Sequence, residues 1–431
     1  MPTTFPFLTA YDPPGTSEGS LDPLGLYQIA DQLAVMLVPA IRERMQRIRF
    51  LTAMAVGALV TEGMDDDPEL RDASPYLVWE WLVVEAIVRT RGDDNLVWGV
   101  PGTHVAGRAL NSHGYLDARS YLKTPRIFGF NGVYKRLAVH LGLVDVHLAP
   151  GPKADALVDA WARGQGLGNL DGAKDTLSRW THAVERSLRE MPPRTRPRWI
   201  NQEWQDLAVA FAPNTARTRE KRFLRNLLLT EDGERLGAFP FIWELQAELQ
   251  DDVYAEEALH NRLQKKQPLY APLLVAIREY EAFARSLQDG FDILKAEAAK
   301  YDAQGFSVPT ISGDAEFAQS VKDLHVRFET VHEALGEVST GTVIQGLFAD
   351  RFAVFSEPLA PKDCALALCG HHEGIQQAKS ANGKRPWFDR LGEDRIYIRH
   401  AYREKRRDIE PDRYLHDYRG RPIRRFHVDL S

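Results

Sequence analysis

Two cysteines in 431 residues, Cys364 and Cys369, are too few for a disulfide framework. Long apolar runs are missing as well: the most hydrophobic stretch, Leu77 to Val88, is broken by Glu80 and Glu85 and falls short of the roughly 20 apolar residues a bilayer crossing needs. The opening MPTTFPFLTAYDPPG has neither the basic nor the apolar region of a secretory signal. A reduced, cytoplasmic protein with no membrane contact is expected. Charge of one sign is scarce too. Fifty-four Lys and Arg against sixty Asp and Glu leave a net charge of −6, so any polyanion site must be local. The chain contains no GxxxxGK[ST], GxGxxG or HExxH, and so lacks the hallmarks of nucleotide hydrolysis, dinucleotide chemistry and zincin proteolysis.

What is present describes a globular chain: 44% apolar, 26% charged and 10% aromatic residues, long enough for two or three domains of roughly 150 residues. The pattern predicts a mainly α, multidomain protein. Five prolines among residues 1–23 read as an extended arm. A helical domain over 24–103 follows, with Leu26, Ile29, Leu33 and Leu37, then Ile48, Leu51, Ala55 and Leu59, at amphipathic spacings broken near Pro39. Asp65, Asp66 and Asp67 form an acidic loop, and Ser74 with Pro75 is an N-cap followed by proline at the first helical position. A helical middle domain spans 171–345, with breaks at Pro192, Pro193, Pro197 and at Gly237 with Pro240. Its longest helix carries Leu273 to Ile293, the GFSVPTISGD segment at 305–314 is a loop, and Ala315 to Leu335 is one helix. The C-terminal segment, 346–431, contains a β-hairpin in which Trp387 to Asp389 and Arg395 to Ile398 flank LGED.

The stretch from Tyr121 to Ala162 reads as short helix, turn, second helix, short strand, turn, third helix. A second helix ending in LGLV, followed by LxPGxxA opening another, resembles winged-helix DNA-binding domains, and places such a module at 104–165. Val133, Leu137 and Leu141 give the second helix its inner face; Asn131, Tyr134, Lys135, Arg136 and His140 are then candidates for a major-groove surface. The strand and wing, Val144 to Leu148, are very short. Helical packing or partner docking is the competing reading.

Arg42, Arg44, Arg47 and Arg49 alternate with other residues after Pro39 and are secondary phosphate candidates, unless they pair with the acidic loop or are solvated. Residues 395–425 hold eleven Arg and Lys against five Asp and Glu. There Arg403, Lys405, Arg406, Arg407, Arg421, Arg424 and Arg425 are interleaved with Tyr397, Tyr402, Tyr414 and Tyr418, which suits base stacking and backbone neutralisation; a solvated hairpin or a grip on an acidic subunit are the alternatives. Cys364, Cys369, His371 and His372 form C-x4-C-x-H-H, a zinc candidate against the simpler expectation of no cofactor and a helix ending in a polar turn. His371, His372 and Glu373 are alternatively acid and base groups, and Asp314, Glu316 and Glu404 with Lys405 are candidates for a divergent metal-dependent nuclease.

Four segments, LDPLGLYQIADQLAVMLVPAIRERMQRIRFLTA at 21–53, YLKTPRIFGFNGVYKRLAVHLGLVD at 121–145, YEAFARSLQDGFDIL at 280–294 and the terminal DYRGRPIRRFHVDLS, resemble a group of bacterial proteins encoded in defence gene clusters beside helicase or phospholipase-D-like nuclease genes. That resemblance implies a non-catalytic subunit of an anti-phage, DNA-processing assembly, with DNA and protein subunits, such as a helicase or nuclease, as partners. It supplies no catalytic residues. A nuclease and a protein-docking scaffold are the alternatives.

Overall fold

The computed structural model describes residues 22–64, 73–90, 99–123, 125–231, 236–246, 248, 255–302, 304–338, 341–379, 384–403 and 413–431. It is mainly helical, with one small three-stranded antiparallel sheet. The chain forms two compact units, and both are discontinuous: one takes Met1–Leu33 and Tyr254–His416, the other Ala34–Val253 and Asp417–Ser431. The linear division read from sequence differs, since the expected 171–345 domain straddles the boundary near residue 254 and the 346–431 segment contributes to both units. Of the expected arm at 1–23, residues 1–21 lie outside the described residues, as does the acidic loop at Asp65 to Asp67.

Helix α1 (Tyr27–Leu37) runs across the boundary between the units. The Ala34–Val253 unit is built around α2 (Phe50–Val60), ten of whose eleven residues are buried. Amphipathic spacing is therefore a poor description of it: an all-round apolar helix is a core helix. Against it pack α3 (Pro75–Arg89), then, after α4 (Thr103–His113) and the single turn α5 (Pro125–Phe128), α6 (Phe130–His140), α7 (Ala154–Gly164), α8 (Lys174–Leu188) and α9 (Asn201–Phe211). The sequence permits this close approach at Gly57, where a Cβ would lie 2.4 Å from the Trp79 ring. Trp79 donates its indole N–H to the Ala53 carbonyl at 2.9 Å and packs with Trp161, Trp180 and Phe211 in an aromatic cluster with ring spacings of 5.5 to 5.9 Å. The expected cap on α3 forms, with Ser74 Oγ accepting from the Leu77 N–H at 3.3 Å. Helices α10 (Thr218–Asn226) and α11 (Phe239–Gln246) complete this part of the chain.

The other unit contains α12 (Glu256–Lys266), the 28-residue α13 (Ala271–Ala298), α14 (Ala315–Ser320), α15 (Leu324–Gly336), α16 (Thr342–Phe352) and α17 (Pro361–Ala378). At 1.5 Å per residue α13 is about 42 Å long. It is the spine of the unit, with Phe283 meeting Phe328, Phe348 and Phe352 edge-on. The expected 315–335 helix is two helices, because Asp323 adopts a left-handed conformation (φ 54°) between them. The hairpin is present as β2 (Phe388–Arg390) and β3 (Arg395–Ile398), with Phe388 opposite Ile398 and Arg390 opposite Ile396. The expected loop at 305–314 instead contributes β1 (Phe306–Ser307) to the far side of β3 and then winds into a 3-10 turn over Val308–Gly313. The last helix, α18 (Gly420–Leu430), returns to the Ala34–Val253 unit and packs on α10 and α11. Among the described residues no helix is long and apolar enough to cross a membrane.

Candidate nucleic-acid interface

The helix-turn-helix expectation falls on α5, α6 and α7. Val133, Leu137 and Leu141 are buried as the spacing requires. The start of α6 is fixed by Glu80, a wholly buried carboxylate of α3. Its oxygens accept from the Phe130 and Asn131 backbone N–H groups (2.9 Å for Asn131) and from the Tyr121 hydroxyl at 3.0 Å. Burial pushes its pKa up to about 7 against those hydrogen bonds. Gly129 makes the approach possible, since a Cβ there would sit 1.9 Å from Glu80 Oε1. A second buried carboxylate five residues on, Glu85, accepts from Thr195 Oγ1 and from Arg89 Nε at 2.6 Å, and is likewise raised by burial. The two acids that interrupt the apolar stretch at 77–88 are thus structural anchors.

Two sequence expectations fail on this module. Tyr134 is completely buried and its hydroxyl accepts the Gln46 and Arg47 N–H groups, both at 2.8 Å, so it ties α6 to the 41–49 segment and does not reach outward. The strand and wing are a single bridge, Val144 with Pro150, closed by Asp145 N–H to the Ala149 carbonyl at 2.9 Å; seven residues leave no room for a strand pair. Arg136 is exposed, and Asn131, Lys135 and His140 are half-buried.

The arginines after Pro39 lie in the loop between α1 and α2. Arg44 is exposed and lies over the Phe128 ring at 4.6 Å; Arg42 is half-buried. Arg47 pairs with Asp429 of α18 at 2.6 Å. Arg49 is no phosphate ligand, because it is fully buried, paired with Glu220 at 2.9 Å and donating to the Ala210 carbonyl at 2.6 Å. Thr52 Oγ1 donates to the same Glu220 carboxylate at 2.6 Å.

That pairing explains a feature the sequence reading missed. Around α10 the chain reads RTREKRFLRN, with Arg217, Arg219, Lys221, Arg222 and Arg225 and one acid, Glu220. Glu220 faces inward to Arg49, and Arg217, Arg219, Arg222 and Arg225 are exposed. The run of five cations in nine residues was the available signal. α18 adds exposed Arg421 and half-buried Arg424 and Arg425. Lys221 Nζ donates to the Ser431 carbonyl at 3.1 Å, which sets the two basic helices side by side. Burial lowers the pKa of Arg425, with Arg421 and Arg47 adding repulsion and Asp417 and Tyr134 opposing it. Three segments far apart in sequence, the 42–49 loop, α6 and the chain end, therefore meet around Tyr134.

The remaining candidates lie in the other unit and are engaged. Arg403 donates to the Ile398 and Tyr301 carbonyls, both at 3.1 Å, and covers the Tyr397 ring at 4.9 Å. Tyr402 stacks on Trp387 (4.8 Å, 3°) and Tyr414 meets His260 edge-on, while Tyr418, in the Ala34–Val253 unit, is buried. The four tyrosines expected to suit base stacking are instead engaged within the protein. Lys405, Arg406, Arg407 and Glu404 lie outside the described residues.

Cys364 and Cys369 are buried on α17, where desolvation pushes both thiols up to about 12. The His371 ring meets the Leu24 carbonyl through Nε2 at 2.9 Å. His372 has both nitrogens engaged, Nδ1 with the Pro23 carbonyl at 2.9 Å and Nε2 accepting the Trp387 N–H at 3.0 Å. That geometry requires a neutral ring protonated on Nδ1, and burial lowers its pKa to about 4. The histidines pin residues 23–24 and 387 to α17, and neither ring nitrogen of His372 is open to a metal. Glu373 pairs with Arg390 at 2.8 Å. Asp314 caps α14 by accepting the Glu316 and Phe317 N–H groups, both at 3.0 Å. Among the described residues no three His, Cys, Asp or Glu side chains are grouped to hold a metal ion. The chain matches no protein-family model, and comparisons with the curated proteins and with the solved structures give no match.

Proposed function

We propose that the protein binds DNA through the basic face of its Ala34–Val253 and Asp417–Ser431 unit, as a non-catalytic subunit that holds DNA for partner proteins of a defence assembly. What supports the DNA contact is that the two basic helices α10 and α18 lie side by side, with Arg47 of the 42–49 loop joined to α18, on a chain whose net charge is −6. A local surplus of this kind on an acidic protein recruits phosphate by position, and Arg222, Arg225, Arg421 and Arg136 supply planar guanidiniums for it. The assembly context rests on the resemblance of the four segments named above.

The test is fluorescence anisotropy with labelled DNA across a salt series. Phosphate contacts give a linear fall of log affinity with log salt, and each contact removed lowers the slope by about 0.9 on duplex DNA. The pair Arg222→Glu with Arg225→Glu is expected to weaken binding and flatten that slope, and Lys135→Ala with Arg136→Ala to do so by a smaller step. Wild-type affinity and slope in both variants would remove this face as the contact.

A further inference from the structure

A groove of about 330 Å³ opens between α7, α8 and α9, and nothing in the face described above uses it. Trp161 and Trp180 line its inner part, both almost wholly buried in the aromatic cluster. Trp199 adds a third, half-buried indole, braced against Trp204 at 4.9 Å in a T arrangement. The remaining wall mixes polar side chains with Leu167, Val209 and Ala210. Successive turns of α9 present Gln202, Gln205 and Asp206, with Gln202 Nε2 donating to Asp206 Oδ1 at 2.8 Å.

The groove adjoins the start of the basic helix. Gly164 ends α7 against the Arg217 side chain, which would lie 2.9 Å from a Cβ placed there, and the next residue, Gln165, lines the groove. Thr215 Oγ1 donates at 2.6 Å to the carbonyl of Val209, another lining residue. The pKa of Asp159 on α7 is lowered by its hydrogen bond from Arg163, then by the Leu170 N–H, and least by the charge of Arg219, which lies near it. An aromatic, amide-rimmed groove thus sits where the row of exposed arginines begins.

We propose that this groove takes one unpaired nucleobase of a DNA strand whose phosphates follow Arg217, Arg219 and Arg222. The inference rests on the DNA reading above and narrows its substrate to DNA with single-stranded character. Every base offers a π-face to the accessible Trp199 indole, and its edge carries both donors and acceptors, which the Gln205 amide and the Asp206 carboxylate complement. The wall holds two carboxylates, Glu203 and Asp206, against one guanidinium, Arg179, which disfavours a free phosphate, and an apolar ligand would strip water from the amides without replacing their hydrogen bonds.

The experiment compares three labelled probes by anisotropy at one salt concentration: a blunt duplex, the same duplex with a 3′ single-stranded overhang, and a thymidine oligonucleotide. Val209 is 44% exposed, so Val209→Trp fills the groove from its rim and leaves the core intact. Trp199→Ala removes a wall as the second variant, with thermal melting followed by circular dichroism to verify folding. The wild type is expected to bind the overhang and the single strand about tenfold more tightly than the blunt duplex, the worth of one stacked base. Both groove variants should abolish that preference while keeping blunt-duplex affinity. If the groove variants bind all three probes as the wild type does, while Arg222→Glu with Arg225→Glu weakens all three, the base site is wrong and the DNA reading stands. If no probe binds even at low salt, the DNA reading falls and this inference with it.

Discussion

Two charged helices of the molecule, α10 and α13, treat charge in opposite ways. Along α13 opposite charges answer one another on the helix itself: Arg285 with Asp289 at 3.7 Å, Lys295 with Asp292 at 3.2 Å, and, just past the helix end, Lys300 with Glu297 at 2.5 Å. On α10 the only carboxylate, Glu220, is drawn into the core by Arg49, and four exposed arginines remain on the helix and its N-cap. The number of charges matters less than where the counter-charge is buried. A helix that neutralises itself has little to offer a polyanion, and one whose acid is committed inside has a face to offer.

Removing that commitment should give the largest effect. Arg49→Ala or Glu220→Ala leaves its former partner charged in the core, and a loss of about 3–5 kcal/mol in denaturant unfolding is expected. The double variant Arg49→Met with Glu220→Leu should recover most of it, and in a double-mutant cycle strong coupling between the two sites is the deciding result.

The units should next be separable by pH. Glu80 keeps its proton in the folded chain up to about 7 and loses it in the unfolded chain near 4.5, so the folded state binds more protons between these values and stability falls as pH rises through them. Glu80→Gln should remove that slope, worth about 3 kcal/mol between pH 4.5 and 7. His372 runs the other way: neutral in the fold down to about 4 and charged in the unfolded chain below 6.5, it costs stability as pH falls through that window. Hydrogen exchange reads both, with the Asn131 amide expected to lose protection as pH rises, after correction for intrinsic exchange, and the Trp387 amide as pH falls.

A smaller effect is expected from moving the charge reversal. Arg222→Glu with Arg225→Glu should reduce DNA affinity roughly tenfold at low salt. Lys322→Glu with Arg327→Glu, exposed cations of the other unit, should leave affinity unchanged. Equal losses from the two pairs would mean that general charge, and not the α10 face, is being measured. Least of all, Ser74→Ala should cost about 1 kcal/mol through its lost cap on α3, readable as a small fall in the denaturation midpoint.

Local rules made part of this legible. Ser74 and Pro75 marked the start of α3, and the alternation around LGED placed the hairpin to within a residue, because caps and tight turns are decided by neighbours in sequence. The third strand was invisible, since two residues at Phe306 become a strand only by meeting Ile396, ninety positions away. Helical spacing placed Val133 and Leu137 inward correctly and Tyr134 outward wrongly, because α6 is covered on a second side by the 41–49 loop that Tyr134 itself holds. Arg49 misled for a similar reason. Its charge argues for the surface, and only the fold reveals Glu220 waiting in the core. The absence of metal and nucleotide motifs narrowed the reading, whereas the groove beside α10 joins residues 161 to 210 in a way no spacing announces.

The junction of Arg47 with Asp429 also sets a schedule for the nascent chain. Arg47 Nη1 and the Ile48 N–H both wait for a carboxylate made some 380 residues later, at 2.6 and 3.2 Å in the finished fold. Until α18 has emerged from the ribosome, the cationic loop and α10 have no partner helix to lie along. A helix some 380 residues further on therefore completes a surface that the 42–49 loop and α10 only begin.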